Sequence, residues 1–173
     1  MAEAVRSAAT GGDAGARLDI VLAGAGYVGL ATAVAIKHAA PQLKIMIVDA
    51  APAGAWERDP RASAIAAAAS RMLGQLGCWD EMLAEAQPIT DMIVTDSRTS
   101  DPVRPVFLTF DGEVAPGEPF AHMVPNRVMN GALRRRAAEL GIDILEGVSV
   151  ESFERRQATL SVRLSDGVEL SCR

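Results

Sequence analysis

Gly24-Ala25-Gly26-Tyr27-Val28-Gly29 constrains this chain more than any other six residues, because of what flanks it. An apolar run, Leu18-Asp19-Ile20-Val21-Leu22-Ala23, leads in, and a helical pattern from Leu30 to Ala39 leads out. A second apolar run, Lys44-Ile45-Met46-Ile47-Val48, ends in Asp49, twenty residues past Gly29. A lone G-x-G-x-x-G is a weak signal. Strand, glycines, helix, strand and acid in this order describe a dinucleotide fingerprint.

Each glycine has its own task. Gly24 permits the tight turn out of the strand, Gly26 lets a pyrophosphate approach bare backbone, and Gly29 lets the helix pack closely on the strand. The phosphates belong at the helix N-terminus, where N–H groups lacking helical partners and the macrodipole favour negative charge. Asp49 is placed to accept hydrogen bonds from the ribose hydroxyls of an adenosine half. Its charge repels a 2′-phosphate, so the expected ligand is FAD or NAD rather than NADP. The competing reading is a glycine-rich turn that binds nothing.

Hydrophobic residues make up 49% of the 173, enough for a sizeable core, but aromatics are only 4%, so the core is aliphatic and alanine-rich. The formal net charge of −5 argues against a nucleic-acid binder, which needs a basic face. No apolar stretch reaches the roughly 18 residues that span a bilayer. Cys78 and Cys172 show no metal or redox spacing, and read as thiols of a reducing cytoplasm. Residues 1–17, rich in Ala and Gly and without a signal-peptide core, read as a disordered tail, and 18–173 as one folded unit.

The pattern predicts strands over Asp19–Ala23 and Lys44–Asp49, with a helix over Tyr27–Ala39 between them and Pro41 closing it. Alanine dominates Ala62–Ala69, which with Ser70–Leu76 reads as helix ending at Gly77. A short helix over Asp80–Ala86 follows. Pro88–Asp96 and Val106–Phe110 read as strands, the second ending in a hairpin signal at Asp111-Gly112. Ala121–Val124 reads as a strand. A helix opens at Pro125 and Asn126, with Val128, Met129, Ala132, Leu133, Ala137 and Leu140 on its apolar face, and ends at Gly141. Ile142–Leu145 is a parallel-type strand, and Val148–Phe153, Ala158–Leu164 and Val168–Cys172 form a meander. The expected fold class is α/β, a Rossmann-like domain with inserted and appended antiparallel strands.

Three segments together resemble the FAD-dependent aromatic hydroxylases of the glutathione-reductase type. They are Gly24–Gly29 with Asp49; Asp59-Pro60-Arg61-Ala62-Ser63-Ala64-Ile65 leading into Ser70–Asp80; and His122-Met123-Val124-Pro125-Asn126-Arg127 leading into Leu133. The second and third look most like the ubiquinone-biosynthesis branch, whose substrates are polyprenylated phenols. On residue type alone Arg61 reads as a solvated loop arginine. The resemblance implies that it reaches the FAD pyrophosphate, a task suited to a guanidinium. The resemblance also places Asn126 at the FAD phosphate or ribitol; by itself Asn126 reads as an N-cap, and the two are compatible. Arg127 is the adjacent, lesser candidate.

Arg134-Arg135-Arg136 can be read as a phosphate or lipid patch, but consecutive residues spread over about 200° of helix, so a solvated face is the expectation. His38 and His122 lack an acid–base partner at motif spacing, and Trp56 and Trp79 read as packing residues.

The resemblance further implies a flavin monooxygenase. NAD(P)H reduces FAD, the reduced flavin activates O₂, and one oxygen atom enters a phenol ring. Peripheral membrane contact would follow from a lipophilic substrate, with no nucleic-acid partner; the oligomeric state is not readable. No catalytic side chain is named and no metal site is seen. In the resembled family a second motif, Gly-Ala-Asp-Gly-x-x-Ser, follows the meander. Its absence here makes the N-terminal portion of a longer enzyme the expectation, with the start of a substrate-domain insertion around 88–124 and little activity in this portion alone. Other FAD-dependent oxidoreductases of the same fold, an NAD-dependent dehydrogenase and a non-catalytic nucleotide-binding module remain open alternatives.

Overall fold

A computed structural model describes residues 18–173, so the tail expectation for residues 1–17 lies outside the described residues. The fold is built on β2 (Ile45–Asp49), which pairs in parallel with β1 (Ile20–Ala23) on one side and with β10 (Asp143–Glu146) on the other. Four of its five residues are buried, because β2 is covered on both faces. Ile45 and Ile47 point to one core, with Leu30, Ala33 and Val34 of α1 (Tyr27–Ala39) and Met129, Ala132, Leu133 and Ala137 of α4 (Asn126–Glu139). Met46 and Val48 point to the other, with Val162, Leu164, Leu170 and Cys172.

That second core belongs to the predicted meander: β11 (Val150–Arg155), β12 (Leu160–Leu164) and β13 (Glu169–Cys172) pair antiparallel in sequence order. Helices, parallel sheet and meander thus form three layers. Both cysteines are buried, Cys78 in the helical core and Cys172 in the meander core.

Between β2 and α4 the chain makes a 3₁₀ turn (Ala55–Arg58), β3 (Ala62–Ala66), α2 (Ala67–Gln75), α3 (Trp79–Leu83), and six further strands. Here the structure corrects the pattern reading in three places. Ala62–Ala66 is strand, not helix: it pairs antiparallel with β9 (Ala121–Pro125), from Ala62 opposite Pro125 to Ala66 opposite Ala121. Alanine's helix preference is weak, a few tenths of a kcal/mol per residue, and a five-residue ladder outweighs it. The helix begins only at Ala67, where the ladder stops.

The predicted strand Pro88–Asp96 is two strands, β4 (Gln87–Ile89) on β9 and β5 (Asp91–Thr95) on β6 (Val106–Asp111). Finally, Asp111-Gly112 does not close a hairpin. Gly112, at φ 109°, hands β6 on to β7 (Glu113–Ala115), and the tight turn comes at Pro116-Gly117 before β8 (Glu118–Pro119).

The helix stops predicted at Gly77 and Gly141 hold, whereas the short helix expected over Asp80–Ala86 runs from Trp79 to Leu83. After α2 the N–H of Cys78 bonds to Leu73 O at 2.9 Å and that of Gly77 to Gly74 O at 2.9 Å; after α4, Ile142 and Gly141 repeat the pattern on Ala137 and Ala138. Both are Schellman ends, with the glycine at positive φ.

Candidate cofactor site

The segments singled out in the sequence converge at the carboxyl end of the parallel strands. Gly24 turns out of β1 at φ 101° and its N–H bonds to Val48 O at 2.7 Å, tying the turn to β2. Gly29 lies against Gly24, with no space for a β-carbon between them. Gly26 caps α1 in an extended conformation, and a β-carbon there would meet nothing within 4 Å. The three glycines therefore do three different things: turn, leave approach space, and pack.

A cleft of about 770 Å³ opens beside Gly26, within the usual range of small-molecule sites, about 300–1,000 Å³. It is lined from three sequence-distant stretches: Ala25 to Val28, Asp49 to Ser63, and one side of α4. Gly26, Asp49, Arg61 and Asn126 all face it. Arg127 does not line it; its guanidinium is paired with Glu85 of the segment after α3, at 2.5 Å.

Asn126 is the first residue of α4, and its amide caps nothing. Its Oδ1 accepts from Ser63 Oγ at 2.8 Å and its Nδ2 donates to Asp59 Oδ2 at 3.2 Å. Its backbone N–H donates to Arg61 O at 2.9 Å. The plain N-cap reading is thus replaced by a side chain that ties α4 to the Asp59–Ser63 strand entry. Asp59 in turn receives Arg61 through Nε and Nη2, both at 2.8 Å. Those hydrogen bonds from Arg61, with the Arg61 charge and the Asn126 amide, hold the Asp59 carboxyl well below the usual carboxylate range.

The cleft also contains residues to which the sequence assigns other roles. Arg134, expected on a solvated face, is only 13% exposed. Its Nη1 bonds to Glu146 at 2.8 Å, its Nη2 stands 3.8 Å from Asp49, and its guanidinium carbon lies 5.4 Å from the centre of the Trp56 ring. Its two neighbours also reach protein groups: Arg135 pairs with Glu81, while Arg136 bonds to Leu76 O at 3.0 Å and to Glu139. Trp56, expected to be a packing residue, lines the cleft as well as lying close over Gly131. A signal for this wall was present in the sequence. Asn126, Asn130 and Arg134 recur every four residues, so they form one polar stripe along α4 beside its apolar face. His122, by contrast, meets Trp79 edge to face at 5.2 Å, away from the cleft.

Two buried polar atoms in the cleft wall lack a partner: Asn130 Oδ1 and Arg134 Nε. Asn130 Nδ2 already donates to Asn126 O at 2.9 Å, so its oxygen is the end left over. Buried acceptors and donors are rarely left unmatched without a ligand or water. With open space at Gly26 and an acid at the end of β2, these atoms suit the adenosine and pyrophosphate half of a dinucleotide. Among the described residues no group of three or more His, Cys, Asp or Glu is arranged to hold a metal ion, and no helix is long and apolar enough to cross a membrane.

The family model described as FAD binding domain matches residues 17–172. Ubiquinone hydroxylase UbiL of Rhodospirillum rubrum is 32% identical over 161 residues, covering 90% of this chain and 35% of the relative. Among solved structures, p-nitrophenol 4-monooxygenase PnpA from Pseudomonas putida superposes with a TM-score of 0.70 at 16% identity, over 91% of this chain and 39% of that one. Aklavinone-11 hydroxylase in complex with FAD and aklavinone gives 0.68 at 23% identity, over 90% and 31%. The chain thus spans about a third of the length of these relatives.

Proposed function

The chain belongs to the FAD binding domain family, and on that premise we propose that it supplies the adenosine- and pyrophosphate-binding part of an FAD-dependent monooxygenase acting on a phenolic ring. The observation that carries this reading is the convergence of Gly26, Asp49, Arg61 and Asn126 on one cleft. In it, Gly24, Gly26 and Gly29 shape the approach to the N-terminus of α1. Asp49 takes the ribose hydroxyls, Arg61 and Asn126 face the phosphates, and Asn130 and Arg134 complete the wall. Arg127 stays outside this set because its guanidinium is turned to Glu85.

When bound, the flavin supplies the redox chemistry and the protein supplies binding and orientation. The proposed electron donor is NAD(P)H and the proposed oxidant O₂. Likeness to a ubiquinone hydroxylase supports a polyprenylated quinone precursor as the substrate class, and such a substrate would bring peripheral contact with a membrane surface. The antiparallel insertion over residues 88–124 is proposed as the beginning of the substrate-binding part.

The test is retention of flavin. Purified chain is mixed with FAD, desalted and scanned for flavin absorption in the visible. Retained flavin supports the cofactor assignment. A chain that holds NAD but no FAD would sink it. Phenol-stimulated NADH oxidation by a longer form carrying the remaining segments would test the reaction itself.

A further inference from the structure

We propose that Asp59 is the positioning residue of the phosphate-binding edge: its carboxylate grips Arg61 and Asn126 together, so that both stand in place before the cofactor arrives. This rests on the FAD reading above.

Four hydrogen bonds end on this one carboxylate. Its Oδ1 accepts from the backbone N–H of Arg61 at 3.0 Å and from Arg61 Nε at 2.8 Å. Its Oδ2 accepts from Arg61 Nη2 at 2.8 Å and from Asn126 Nδ2 at 3.2 Å. Asp59 itself is anchored, since its N–H donates to Trp56 O at 3.3 Å and Pro60 follows it. The Asp59 side chain is 13% exposed and that of Arg61 is 77% exposed. An arginine so open to water would ordinarily sample many rotamers, and ordering it would weaken binding. The bidentate grip removes that freedom in advance.

The grip leaves Arg61 donors for a ligand. A guanidinium carries five N–H donors. Asp59 uses Nε–H and one Nη2–H, and leaves the Nη1 edge open. Asn126 is held the same way: Ser63 takes its oxygen and Asp59 its nitrogen, which orients the side chain at the start of α4.

The test is a double-mutant cycle on FAD affinity, read by flavin fluorescence, with wild type, Asp59→Asn, Arg61→Met and the double variant. Asp59→Asn is expected to weaken binding about tenfold, within the ordinary coupling of contacting residues, and by clearly less once Arg61 is Met, where only the hold on Asn126 remains to be lost. A purely structural role would produce the same loss in both backgrounds and overturn the proposal; so would unchanged or tighter binding by Asp59→Asn. Wild type without measurable affinity would bring down the FAD reading and this proposal together, whereas wild-type binding matched by Asp59→Asn brings down only this one. Should Asp59→Asn melt early, the Arg61 Nε–H resonance of cofactor-free wild type carries the test. Slow exchange with water is expected, and rapid exchange overturns the proposal.

Discussion

Gly29 lies so close to Gly24 that a β-carbon at Gly29 would overlap the Gly24 carbonyl oxygen. The obstacle is main chain, on the turn that the bond from Gly24 N–H to Val48 O ties to β2. It cannot swing aside as a flexible side chain would. Gly29→Ala is therefore expected to cost roughly 3 kcal/mol, the upper end of overpacking effects. Urea unfolding of the variant measures it, and a loss below roughly 0.5 kcal/mol would show that α1 can move off the turn.

Gly26 predicts the opposite pairing of effects. Its φ of −70° and ψ of 167° suit any residue, and its missing side chain faces open space. Gly26→Ala should leave stability within about 0.5 kcal/mol, as for other open positions. The added methyl enters the space proposed for the pyrophosphate, so flavin retention should fall steeply. Thermal melting and a desalting assay on the same sample separate the two. Full retention of flavin would remove Gly26 from the proposed contact surface.

These two glycines also mark what the sequence could tell. The three-layer core was legible because its signals are local and repeated: β2 is a continuous apolar run, α1 and α4 carry apolar stripes, and Gly77 and Gly141 end helices where predicted. Ala62–Ala66 was not, because alanine prefers helix only weakly and the partner strand lies almost sixty residues away. The site divides the same way. The glycines and Asp49 stand in one short motif with a mechanism behind every position. Arg134 stands in a basic triplet whose members look alike until the fold gives each a different partner.

Arg134 carries the third prediction. Its guanidinium serves two carboxylates, Glu146 at 2.8 Å and Asp49 at 3.8 Å, and its side chain is only 13% exposed. Arg134→Met leaves both acids facing one another without a cation. Losing one partner of a fully buried pair costs about 3–5 kcal/mol; this pair is partly open to solvent, and about 2 kcal/mol is expected. Arg134→Lys restores the charge but not the planar fork over Trp56, and should recover only part of the loss. Denaturant titration of the two variants checks the order. Equal stability of Met and Lys variants would mean that charge pairing contributes nothing here.

The last prediction concerns acid. In the folded chain the Asp59 carboxyl is held well below its ordinary value of 3.8, first of all by the side-chain hydrogen bonds from Arg61. A depressed folded value means that the unfolded chain takes up the proton first as pH falls. The stability Asp59 contributes is therefore complete above the ordinary value, and drains away below about pH 4 toward the folded value. Asp59→Asn cannot titrate. Its deficit relative to wild type should be constant from pH 7 to 5 and shrink as the pH drops below 4. Melting temperatures of both proteins across that range give the answer. A deficit that stayed constant to pH 3 or below would show that the carboxylate is not specially stabilised, and that its bonds to Arg61 and Asn126 are too loose in solution to hold either side chain.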